Sequence, residues 1–140
     1  MTRMILFFAT VVIAGSMAAA ALAQGSNSTT TLKIQHATKG CHTWALNGGK
    51  ATATQHVTLA KGATLKVVNN DVMPHRFIQK TGPAMTIVHA RMGHMGATAT
   101  VRFTRHGVYT FKTKAGEDYP GVKVHTIGED NILRLTVTIR

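Results

Sequence analysis

The chain has 140 residues, with 16 Lys plus Arg against 5 Asp plus Glu, 8 His, 7 Met and a single Cys. This is length for one domain, and one cysteine excludes a disulfide-stapled mini-protein. The net charge of +11 is spread singly, without a basic run or interleaved aromatics, so a specific nucleic-acid surface is not expected, whereas diffuse attraction to anionic surfaces or acidic partners is.

Residues 1–23 place Arg3 before an apolar run and end on the small-residue site Ala21-Leu22-Ala23, the layout of a cleaved signal peptide. An uncleaved membrane anchor is the competing reading, since Met4 to Ala23 is about long enough to span a bilayer. Cleavage leaves 117 residues carrying +10, a periplasmic or secreted protein that is not integral to a membrane. In that compartment the lone Cys41 is a free thiol, an intermolecular bridge or a metal ligand. Residues 24–30 (QGSNSTT) have nothing to bury and form a flexible lead-in to a domain over 31–140.

From Thr31 onward, short alternating or β-branched runs are bounded by Gly, Pro and Asn: TLKIQHA, QHVTLA, TLKVVN, RFIQK, MTIV, ATATVRF, VYTFKT and ILRLTVTI. Alternation is clearest in the last, where Leu133, Leu135, Val137 and Ile139 share one face. About eight strands with tight turns and no helical periodicity predict an antiparallel β-sandwich or barrel. If successive strands alternate in direction, one end gathers Cys41, His42, Met73, His75, His89, Met92, His94, Met95, His125 and all five acids, and the other only His106.

The stretch LAKGATLKVVNNDVMPHRF, with Gly107-Val108-Tyr109-Thr110-Phe111 further on, resembles the cupredoxin family. Gly62, Asn69, Asp71 and His75 fit that family's run leading to its first histidine ligand, and the Gly107 segment looks like its penultimate strand. The resemblance implies an all-β, cupredoxin-like Greek-key β-sandwich, copper as cofactor and His75 as a ligand. It breaks at Thr113, which stands where a blue copper site would have its cysteine, and the following loop, KAGEDYPGVKVHTIGEDN, has neither Cys nor Met. An ordinary blue site is therefore not expected.

Other donors are available at the same end. Cys41 and His42 offer thiolate and imidazole, and His89, Met92, His94 and Met95 give the mixed His and Met composition that suits copper. The expected site combines His75 with Cys41 or His42 and one or two of His89, Met92, His94 and Met95. Against this, Cys41, Met92 and Met95 are also ordinary core residues, and His75 could simply bond a neighbouring loop. His36, His56 and His106 read as plain strand or turn residues. The twin Gly-Glu-Asp motifs at Gly116 and Gly128 could hold a hard cation such as calcium, but read more simply as partners for Lys114, Lys123, Arg76 or Arg91.

No hydrolase assembles, because no Ser follows Ser28 and the neighbours Cys41 and His42 would point to opposite faces of a strand. The expected function is copper holding, delivery or redox exchange with a protein partner, rather than turnover. A metal-free interaction scaffold and a copper-dependent oxidoreductase are the alternatives.

Overall fold

The computed structural model describes residues 27–36, 42–115 and 133–140. Expectations for the signal peptide, residues 24–26 of the lead-in, Cys41, His125 and the twin acidic motifs lie outside these residues, and the first strand begins at Thr29, inside the stretch read as the lead-in. Among the described residues there are ten strands and no helix: β1 (Thr29–His36), β2 (His42–Leu46), β3 (Thr54–Leu59), β4 (Thr64–Asn70), β5 (His75–Thr81), β6 (Ile87–Val88), β7 (Arg91–Met92), β8 (Thr98–Arg102), β9 (Gly107–Ala115) and β10 (Arg134–Ile139). No helix among them is long and apolar enough to cross a membrane.

Two five-stranded sheets form, in the orders β2-β1-β4-β8-β6 and β3-β10-β9-β5-β7. Most neighbours are antiparallel, but β1 runs parallel to β4 and β3 parallel to β10. The all-antiparallel expectation fails at these two pairs because the chain crosses between the sheets, so strands adjacent in space are not adjacent in sequence. The two sheets make an all-β sandwich, the architecture that the resemblance implied.

Strand alternation builds the core. Leu32 and Ile34 of β1, Leu65 and Val67 of β4, and Ala99 and Val101 of β8 face Phe77, Phe111, Leu135 and Val137 of the other sheet, all fully or almost fully buried. Phe77 and Phe111 stack with ring centroids 4.8 Å apart. The two amphipathic aromatics bury their rings and still satisfy their polar ends: Trp44 Nε1 donates to the Ala53 carbonyl at 3.0 Å, and Tyr109 Oη to that of Arg105 at 2.7 Å. At Gly82, with φ +105°, a Cβ would come within 2.7 Å of the Val108 carbonyl oxygen, so glycine is required where this turn meets β9.

Two elements differ from expectation. HTWAL, read as part of a long connection, is β2, pairing with β1 from Leu32↔Leu46 to His36↔His42. Trp44 and Ala45 are both buried although they are consecutive, which hides the period-two signal. MTIV contributes only β6, and the chain then turns through His89, at φ +54°, into β7.

Candidate metal centre

The β1–β2 hairpin brings His36 opposite His42 at one end of the sandwich. At the same end the connection from β4 to β5 carries Asp71 and delivers His75 as the first residue of β5. These four residues meet. His42 Nε2 lies 2.5 Å and His75 Nε2 3.0 Å from the same oxygen, Oδ2 of Asp71, and the two rings sit edge to face with centroids 4.7 Å apart. All three side chains are at most 1% exposed. His36 stands at the rim with its side chain 63% exposed, its Nδ1 3.8 Å from Asp71 Oδ1, too long for a hydrogen bond.

Asn69 fixes this geometry. It is fully buried at the end of β4, and its Nδ2 donates to the carbonyls of Met73 at 2.7 Å and of Met92 and His94 at 3.3 Å, while its Oδ1 accepts the Asp71 N–H at 3.0 Å. One side chain thus ties the Asp71–Pro74 connection to the chain around β7. Replacing it with alanine strands several buried polar groups, each costing about 1–3 kcal/mol. Asn69→Ala is expected to lower unfolding free energy by about 3 kcal/mol in denaturant melts, a loss that Val68→Ala, at a half-buried neighbour, does not approach.

Asp71 is the only acidic side chain among the described residues. Burial pushes its carboxyl group upward. The hydrogen bond from His75, the charges of His42 and His75 and the Val72 N–H, 2.7 Å from Oδ1, outweigh that and hold it below its ordinary range. A depressed folded-state pKa contributes stability that is present above the unfolded value, about 3.9 for aspartate, and is lost as pH falls through the folded value. The metal-free protein is therefore expected to lose stability on acidification below about pH 4, and Asp71→Asn to remove that part of the pH dependence in melts run from pH 7 to pH 2.

Met92 is fully buried, part of the hydrophobic core, and stands directly opposite His75 in the β5–β7 pair. His89, His94 and Met95 are exposed; the His94 Nδ1 pairs with the Met95 carbonyl at 2.9 Å, and Met95 is 54% exposed. Thr113 is fully buried on β9 opposite Phe77, and its hydroxyl has no hydrogen-bond partner among the described residues. His36 and Asp71 are the participants that reading the sequence missed. A signal for His36 existed: it and His42 flank a Lys39-Gly40 pair at a spacing that permits a hairpin.

The donor set suits a metal ion. Among the described residues, His36, His42 and Asp71 form a group whose ligand atoms all lie within 4.8 Å of one another, and His75 reaches the same carboxylate. Atoms bonded at about 2 Å to one ion and at right angles to each other lie about 2.8 Å apart. The two Nε2–Oδ2 separations bracket that value. Among the described residues these donors are imidazole and carboxylate, a set that suits a divalent ion.

Neither a protein-family model nor a curated protein matches the chain. Solved structures similar to it include a purple cupredoxin from Nitrosopumilus maritimus, 12% identical with a TM-score of 0.44 over 81% of this chain and 100% of that one. An oxidized mutant of amicyanin is 17% identical with a TM-score of 0.38 over 64% of this chain and 70% of that one. A cysteine protease inhibitor from Entamoeba histolytica is 10% identical with a TM-score of 0.44 over 81% of this chain and 96% of that one. Likeness this distant concerns the fold, and function is argued from the residues of the site.

Proposed function

We propose that the chain is an exported metal-holding protein that keeps copper in a non-blue site made by His42, His75 and Asp71, with His36 at the rim. The observation carrying this reading is the convergence of two buried imidazoles on one buried carboxylate oxygen. Copper is preferred among divalent ions because Gly62, Asn69, Asp71 and His75 carry the cupredoxin resemblance and because soft donors stand nearby. Met92 lies across from His75, and Cys41 adjoins His42 in sequence. Exposed His89, His94 and Met95 fit a role in handing the metal to or from a partner rather than a place in the buried set. Export rests on the signal-peptide layout of residues 1–23.

The test is titration of the metal-free protein with Cu(II) in competition with a chelator of known affinity. One tightly bound equivalent, raising the unfolding temperature, is the expected result, since a ligand that binds only the folded state stabilises it. Sub-stoichiometric or weak binding would favour a second reading, a metal-free scaffold in which the His–Asp–His cluster is only a polar network. The short contacts already made to Asp71 favour that reading.

A further inference from the structure

Three cations lie side by side on the outer face of the second sheet, next to the His–Asp cluster. Arg76 of β5 is directly opposite Arg91 of β7 on one side and Lys114 of β9 on the other, and all three are exposed. Directly opposite side chains on neighbouring strands have Cβ atoms about 5 Å apart, and like charges so placed repel. No acid among the described residues answers them, because Asp71 is buried and engaged by His42 and His75. The three line a cleft of about 460 Å³, to which Pro74, Ala90 and Ala115 add apolar surface and which His75 borders. That volume is within the usual range for small-molecule sites.

We propose that this cleft binds a small polyvalent oxyanion, phosphate or a dicarboxylate. Two guanidinium groups and an ammonium lining one concavity suit the clustered acceptor oxygens of such anions, and a bound anion removes the repulsion along the row. The cleft needs no metal, so the proposal is independent of the copper reading.

The test is calorimetric titration of the metal-free full chain at low ionic strength, with inorganic phosphate in one arm, malonate in a second, and chloride at matched ionic strength as control. Saturable 1:1 binding in either oxyanion arm is expected, and the arm that binds more tightly identifies the source. Arg76→Gln and, separately, Arg91→Gln should each weaken binding by about tenfold or more, since each removes a charge-assisted bidentate contact. Arg102→Gln, in a different basic cleft lined by Lys61, Gly62 and Thr104, should leave it unchanged. Three results would overturn the proposal: no binding beyond that of chloride, an equal loss in Arg102→Gln, or binding that emerges only after Glu117→Gln and Asp118→Asn. The last would mean that the chain's own acids occupy the row.

Discussion

His75→Ala is expected to weaken Cu(II) binding by at least about 100-fold. Changing even the groups that orient a metal ligand costs about 10–100-fold in affinity, so removing a ligand should exceed that. His75 and His42 contribute symmetrically, each placing Nε2 against the same oxygen of Asp71, and His42→Ala should match it. His36→Ala should cost about tenfold or less, because that side chain is mostly exposed and 3.8 Å from the carboxylate. The graded order, with the two buried histidines far above the rim histidine, is what separates a built site from adventitious binding by a histidine-rich chain. Competition titrations with the three variants check it, and melts of the metal-free proteins confirm that each is folded. Equal small losses in all three would show that copper is held elsewhere.

The second large effect is spectroscopic. Thr113→Cys should convert a nearly colourless Cu(II) protein into an intensely coloured one, through thiolate-to-copper charge transfer. Thr113 faces the interior opposite Phe77, one inward position along the sheet from the His75↔Ala115 pair. A thiol suits this position better than the hydroxyl, which is buried without a partner among the described residues; free cysteine behaves as a small apolar residue. The substitution should therefore cost little stability and raise it by up to about 1 kcal/mol if the stranded hydroxyl is its main effect. Visible absorption of the variant loaded with one equivalent of Cu(II) is the measurement. No new band would mean that the His–Asp cluster and β9 do not address one ion. Intense colour already present in the unmodified chain would instead point to Cys41.

What the sequence revealed follows how local each feature is. Gly62, Asn69, Asp71 and His75 lie on one continuous strand–turn–strand segment, so the resemblance they carry, together with alternating strand direction, implies that His75 is presented at an end of the sandwich. Leu133 to Ile139 alternate strictly, and all four apolar residues of that run are buried. The parts that escaped depend on pairing between distant segments. His36 looked like any strand histidine because its neighbour Asp71 is set by the parallel β1–β4 pair and by the β1–β2 hairpin, neither of which periodicity encodes. Asp71 was visible as an acid at the correct end, but its burial between two imidazoles depends on His42 arriving from β2, a strand whose pattern Ala45 interrupts. The cationic row was hidden for the same reason. Arg76, Arg91 and Lys114 are scattered along the chain and become neighbours only through the β7-β5-β9 register.

The measurement that bears most directly on the central claim is the electron paramagnetic resonance spectrum of the protein loaded with one equivalent of Cu(II). The account predicts an axial signal with a large copper hyperfine splitting and superhyperfine structure from at least two imidazole nitrogens, simplified when His42 or His75 is replaced. A narrow copper hyperfine splitting accompanied by strong visible absorption, or a spectrum unchanged by both replacements, would contradict it.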